Sequence, residues 1–448
     1  MSKVAKGDGG GSSRQKGRSA LMTAIKVKDV RTKILVTLGI LLLYRVGSYV
    51  PIPGIPFKDM VGALQNTNQG NGVIALLNMF SGGALSRMSF FSLGIMPYIT
   101  AQIIMQMFQT VIPSLEALSK EGESGQRKIT QYTRYLTILL ATVNAIGYLF
   151  LFKGSMYNMS FSAMGIPEAV ESVVIVFTMV VGAVTVMWLG EVLTQHGIGN
   201  GMSLIIFLNI MAGLPSTLFS SWFASVDGWW QTLITLGVIL ILIPFIIFVE
   251  RGQRRIPIQY AKRVIGGGRK FSHTSASYLP IKVNTAGVVP IIFTSSILYL
   301  PAQIALFFPN VEWLQTVAGA LASGWVNWVL SAALIIFFAY FYNEMVFKPD
   351  DMAESLQKQG GYIPGVRPGS ATAAYVQEVL DHVTLPGAVF MACLAVIPSI
   401  IFTFTSNQLI QAFGGTSVLI MVGVALDTLA NLESQVQQEN YDQFFRRD

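Results

Sequence analysis

Charge is what this sequence has least of. Only 12% of its 448 residues are Asp, Glu, Lys or Arg, about half the share of a soluble domain. With 52% hydrophobic residues and a mean hydropathy of +0.55, a water-soluble globule is excluded and a polytopic membrane protein implied. Cysteine is almost absent. The lone Cys393 permits no intrachain disulfide and gives no basis for a cysteine metal site. The three histidines, His196, His273 and His382, show no ligand spacing. Ionisable groups are also missing from the middle of the apolar runs. Glu191, Glu250, Glu344 and Asp427 all fall near run ends, whereas a proton- or ion-coupled transporter needs such groups near mid-membrane. GIGNG (197–201) lacks the strand, helix and lysine of a phosphate loop. No catalytic constellation stands out, so neither an enzyme nor a cofactor is expected.

What the chain does have is ten apolar windows. They run over about 34–50, 88–111, 135–152, 173–193, 202–218, 230–249, 286–308, 325–347, 384–404 and 415–432, each of a length suited to a spanning helix. Residues 1–33 are Gly/Ser-rich and basic, with no apolar h-region. They read as a disordered cytosolic tail rather than a cleavable signal. Residues 433–448 read as a second cytosolic tail. Of the 30 Lys and Arg, all but Lys58, Lys153 and Arg87 lie in the two tails, the first span and three of the even-numbered connections. The positive-inside rule therefore places both termini in the cytosol.

One segment departs from this series. Ile74 to Leu85 is apolar but too short to cross a bilayer, and Ser81-Gly82-Gly83 and Arg87 interrupt it before the full-length window at 88–111. Two readings are open. It is a short helix lying on the membrane face, or a re-entrant element, sheltered by protein, that closes a pore. Two inward connections, about 250–284 and 348–383, are also longer than simple connectors. The first carries ERGQRR, AKR and GGGRK; the second carries YIPGVRPGS. Such basic clusters suit acidic protein surfaces, anionic lipid heads or RNA phosphates, or simply obey the positive-inside rule.

Several segments together resemble the SecY/Sec61-alpha family of protein-conducting channels. They are YRVGSYVPIPGI (44–55), NMFSGGALSRMSFFSLGIMPYI (78–99), KEGESGQRKITQYTRY (120–135) and MWLGEVLTQHGIGNGMSLIIF (187–207), followed by VERGQRRIPIQYAKR (249–263), LPIKVNTAGVVP (279–290), GYIPGVRPG (361–369) and FGGTSVLI (413–420). The resemblance covers most of the chain in the family's order. His196 stands where the family has Arg, and Met202 where it usually has Ile.

The resemblance implies an all-α membrane protein of ten transmembrane helices in two inverted five-helix halves, 34–218 and 219–432, around a central pore. A lateral gate would lie between spans two and three on one side and seven and eight on the other. A short plug helix before span two would comprise Ile74, Leu77, Phe80, Ser81, Gly82, Gly83 and Arg87. The pore ring would be Ile95, Ile99, Met202, Ile206, Ile292 and Ile420. From the residues alone such apolar side chains read as packing or lipid-facing, and the ring assignment rests on the resemblance. Arg254, Arg255, Lys262, Arg263, Arg269 and Arg367 would dock the ribosome or the SecA motor, with Lys270 a further candidate. The implied partners are SecE, SecG, SecA, the ribosome, secretory and membrane-protein nascent chains and the lipid bilayer. The implied location is the bacterial plasma membrane. On this reading the chain passes unfolded polypeptides outward and releases apolar segments sideways into lipid. A secondary transporter for a small solute shares ten spans and broken helices with this reading, and a non-transporting insertase scaffold is a further alternative.

Overall fold

The computed structural model describes residues 28–53, 81–153, 167–223, 228–260, 277–308, 311–322, 324–405 and 415–445. Its first helices are α1 (Lys28–Gly47), α2 (Met96–Val111), α3 (Pro113–Lys120), α4 (Glu123–Lys153), α5 (Glu168–His196), α6 (Gly201–Phe223) and α7 (Gly228–Glu250). After strands β1 (Gln253–Tyr260) and β2 (Ser277–Lys282) come α8 (Val289–Phe307), α9 (Glu312–Ala322), α10 (Trp325–Val346) and α11 (Pro349–Lys358). Strand β3 (Gly361–Tyr362) leads to α12 (Ser370–Thr405) and α13 (Gly415–Phe445). Every apolar window read from the sequence carries one of these helices; α3, α9 and α11 lie between windows. Among the described residues five segments, Glu123–Phe150, Ala169–His196, Trp325–Lys358, Ser370–Ile401 and Thr416–Gln438, are long and apolar enough to cross a bilayer.

Helices approach closely where glycine faces a neighbour. A Cβ at Gly182 of α5 would lie 1.9 Å from the Phe90 carbonyl oxygen, and one at Gly190 would lie 2.2 Å from the Met202 sulfur. Small residues are how helices gain dispersion contact when lipid supplies no hydrophobic drive between them. The result is one large apolar cluster. It draws Ile95 and Ile99 from α2 and its approach, Leu189 and Leu193 from α5, and Ile205 and Ile206 from α6. Ile292 of α8, Phe338 of α10, Met391 of α12 and Ile420 of α13 complete it from the other side.

The structure corrects the expected boundaries in four places. The second span becomes helical at Met96, not Met88, because Met88 and Gly94 hold positive φ (47° and 57°) and Pro97 opens the helix. Residues 81–95 are consecutive turns with one bridge residue, so the described part of the expected plug helix is not helical; Ile74, Leu77 and Phe80 lie outside the described residues. Residues 28–33 and 433–445, expected in tails, continue α1 and α13. Their ends meet in a small cluster of Val30, Ile198, Leu432 and Val436.

The long connections are built, too. In 250–284, β1 and β2 pair antiparallel with Gln253 opposite Lys282 and Ile258 opposite Ser277. Strand β3 adds on the far side of β1, at Gln259 and Tyr362, giving the order β2-β1-β3. An all-α description therefore omits this sheet. It sits on α12 through Ile256, Ile281, Ile363, Val376 and Leu380. The stretch 348–383 is shorter as a loop than its sequence suggests, since α11 fills its start and α12 begins at Ser370.

One ion pair ties α4 to α5. Arg134 donates from Nε to Glu191 Oε1 (2.9 Å) and from Nη2 to Oε2 (2.6 Å). The Glu191 side chain is 12% exposed and that of Arg134 is 43% exposed. Breaking a fully buried pair costs about 3–5 kcal/mol; solvent at Arg134 lowers the expectation to roughly 1–3 kcal/mol for Arg134→Met. Glu191→Gln should cost less, since the arginine it frees can hydrate. Thermal unfolding in detergent with the double variant Arg134→Met/Glu191→Gln closes the cycle; losses under about 0.5 kcal/mol would make this an ordinary surface pair.

Candidate functional site

The six side chains of the expected ring are all buried, and all belong to the large apolar cluster. Ile95 immediately precedes α2, whose first turn carries Ile99; Met202 and Ile206 lie on α6, Ile292 on α8 and Ile420 on α13. The spacing of four residues puts Ile95 with Ile99, and Met202 with Ile206, on single helical faces. Met202 is the odd member. Its sulfur rests where a Cβ on Gly190 of α5 would be, so it packs at the margin against that helix.

Beside this cluster lies the glycine turn. Asn209, buried at 1% exposure, stands one helical turn beyond Ile206 on α6. It meets Gly82 so closely that a Cβ there would fall 2.6 Å from its Oδ1. Gly82 holds φ +65°, a conformation that β-carbon sterics penalise, so position 82 requires glycine twice over. The Ser81 hydroxyl accepts a hydrogen bond from the Leu85 N–H (3.1 Å). The turn is strapped to the end of α1 by Ile52 N–H to Met88 O (3.0 Å) and Phe90 N–H to Val50 O (2.7 Å). Two arginines close the site. Arg45 of α1 donates to the Gly82 carbonyl (3.0 Å), and Arg87 donates to the same oxygen (2.8 Å).

Of the expected docking residues, Arg254 and Arg255 project from β1 and are exposed, with the Arg255 guanidinium 4.8 Å from the Tyr278 ring centre. Arg367 is exposed in the turn between β3 and α12. The register of β1 with β2, and of β1 with β3, brings these two connections into one sheet. Lys262, Arg263, Arg269 and Lys270 lie outside the described residues. On α3, Lys120 holds the Glu116 carboxyl below its usual range by hydrogen bond and charge, and Lys348 lowers it further.

The sequence profile of the SecY family matches residues 89–429. The chain belongs to the SecY family. The protein translocase subunit SecY of Streptomyces scabiei is 43% identical, with 96% of this chain and 100% of that one covered. Two solved structures share the fold at lower identity. One, described as showing that the plug domain of SecY stabilises the closed state of the translocation channel, has a TM-score of 0.58 at 19% identity. It covers 90% of this chain and 91% of its own. The other, Sec61 in the canine ribosome-channel complex from the endoplasmic reticulum, has a TM-score of 0.55 at 17% identity with the same two coverages.

Within this SecY fold, α8 packs against both α2 and α4, the helices across which the family resemblance places the gate. Among the described residues Thr100 donates within its own helix, at Met96 O, rather than across that seam. Asn284 donates to Glu250 (2.6 Å) and to Gly287 O (3.1 Å), fixing the entry to α8. Thr285 donates to Asn343 of α10, and Asn343 donates to Thr384 of α12. The sequence gives no sign of this last relay, because its members are far apart and separately unremarkable. Asn209, which meets Gly82 from far along the chain, is missed for the same reason.

Proposed function

We propose that this chain is the pore-forming subunit of a bacterial Sec translocase, passing unfolded secretory polypeptides across the plasma membrane and releasing apolar segments laterally into lipid. The observation that carries the residue assignment is the gathering of Ile95, Ile99, Ile206, Ile292 and Ile420, from four distant stretches of sequence, into one apolar cluster with the glycine turn one helical turn beyond Ile206. An apolar constriction excludes ions by dewetting and deforms around a passing chain without binding it tightly. Met202 borders the ring, and Met is adaptable enough to move with it. Residues 74–87 act as the plug. The name of the plug-domain structure supports that role by likeness of fold.

The chain is a passive conduit, with work supplied by SecA or the ribosome; the ribosome-bound Sec61 neighbour supports the second partner. Arg254, Arg255 and Arg367 form the exposed docking surface, joined by Lys262, Arg263 and Arg269. SecE and SecG complete the membrane assembly, and both termini face the cytosol.

Crosslinking tests the assignment. In a Cys393→Ser background, a single cysteine at Ile206 should oxidise to a cysteine placed midway along a stalled secretory chain, and only when that chain bears its signal sequence. With stalling confirmed, absence of a link at Ile206, Ile95 and Ile292 would remove the ring. It would return the small-solute transporter to consideration.

A further inference from the structure

Arg87 belongs to the plug segment, but its pairing with Arg45 at the glycine turn is not explained by that role. Arg45 reaches from α1 with Nη1 on Gly82 O (3.0 Å) and Nη2 on the Tyr49 hydroxyl (3.1 Å). Arg87 reaches back from the far end of the turn to the same carbonyl (2.8 Å). Both guanidinia lie over the ring of Tyr49, at 4.9 Å and 4.2 Å from its centre. Among the described residues neither has a carboxylate partner, and Arg87 Nε is buried without an acceptor. Two like charges thus converge on one backbone oxygen and one aromatic face. Charge-assisted bonds to a carbonyl, and cations over an aromatic ring, are the favourable terms that hold them there against repulsion.

The geometry is directional. Gly82 is pressed from one side by Asn209 of α6 and held from the other by the two guanidinia. The Arg87 bond spans five residues and shapes the turn itself. The Arg45 bond is the one that crosses from the first helix to the turn. If the turn leaves its place beside α6, the Gly82 carbonyl leaves with it, and Arg45 loses its acceptor. Among the described residues no acidic group fixes it.

We propose that Arg45, through the Gly82 carbonyl and the Tyr49 ring it shares with Arg87, is a positioning residue that latches the 81–88 turn in the closed arrangement. The latch rests on the plug reading. It adds the identity of the group that sets the balance between closed and open states. Arg87 preorganises the turn, and Tyr49 keeps the two cations at a fixed spacing. Because the tie is a pair of hydrogen bonds to neutral acceptors rather than an ion pair, it breaks without stranding a partner charge. That suits a contact made and broken in each cycle.

The test uses the full chain with its small membrane subunits in planar bilayers, measuring resting ion conductance. Arg45→Gln should raise it about tenfold, the ratio for loss of one charge-assisted bond of typical strength, while export of a signal-bearing chain persists. Arg45→Lys, an ammonium that cannot fork to both acceptors, should fall between Arg45→Gln and the parent. Deletion of 74–87 is the comparator and should leak most. A tight Arg45→Gln channel beside a leaking deletion overturns the latch and leaves the plug. Tight channels in both overturn the latch and the plug together. If Arg45→Gln does not accumulate, Tyr49→Leu, at a side chain 56% exposed, replaces it; a leak there supports the latch, and a tight channel overturns it.

Discussion

Arg367→Glu is expected to lower motor-driven export at least about tenfold while leaving the amount and melting temperature of the channel unchanged. Among the described residues the Arg367 side chain has no part in holding the fold. Arg367 is exposed, and what its residue contributes to the turn is its backbone carbonyl, which accepts a hydrogen bond from the Thr372 hydroxyl (2.9 Å). Gly365 and Gly369, at φ 86° and 107°, frame the turn and hold its course whatever stands between them. Surface substitutions of this kind shift stability by about 0.5 kcal/mol or less. Setting a like charge against a partner's surface costs several kcal/mol, enough to abolish docking. Protease protection of a preprotein in inverted membrane vesicles reads the result. Arg367→Ala should be milder, because it removes attraction without adding repulsion. Normal SecA-dependent export by Arg367→Glu would end the docking role.

The second large effect is expected from Ile95→Ala, Ile206→Ala and Ile292→Ala combined. In a close-packed core each such truncation costs about 2–5 kcal/mol, rising with the cavity left behind. Side chains that meet across a closed constriction should cost less, because the gap they border already opens for a polypeptide. What they should lose is the seal. Resting conductance is expected to rise on the order of tenfold or more, since a wider and shorter apolar neck wets more readily. Ile205→Ala is the control. Ile205 is fully buried in the same cluster, one residue along α6 from Ile206 and on a different face. It should show the full core penalty in thermal unfolding with no added conductance. If the triple variant unfolds as three core truncations would, and does not leak, these isoleucines are packing residues.

The long helical windows were legible in the sequence because lipid imposes one solution on each: about twenty apolar residues in a helix that satisfies its own backbone. Where a window failed, at Met88–Ile95, the pattern was apolar throughout and the decision lay in backbone conformation. Met88 at φ 47° is a choice made by its neighbours, through the straps from Val50 and Ile52, and no composition reveals it. The sheet was hidden for a related reason. Gln253–Tyr260 and Ser277–Lys282 alternate too briefly to declare a strand, and β3 has only two residues. The exposed arginines proposed to dock a partner were legible as charge in long connections; the joining of those connections through one sheet was not.

By itself, the sequence determined that this is a membrane-embedded helical bundle of the SecY family with a short interrupted segment before its second span, because hydropathy, charge placement and motif order are properties of the chain read one residue at a time. Only the tertiary structure decided that residues 81–95 are turns, that Met202 leans on Gly190, and that Arg45, Arg87, Tyr49 and Asn209 converge on Gly82. Those contacts join residues up to 127 positions apart, Gly82 to Asn209. They exist because the packing of α1 and α6 around one turn leaves its carbonyl facing two guanidinia and no carboxylate among the described residues, a balance that no local pattern encodes.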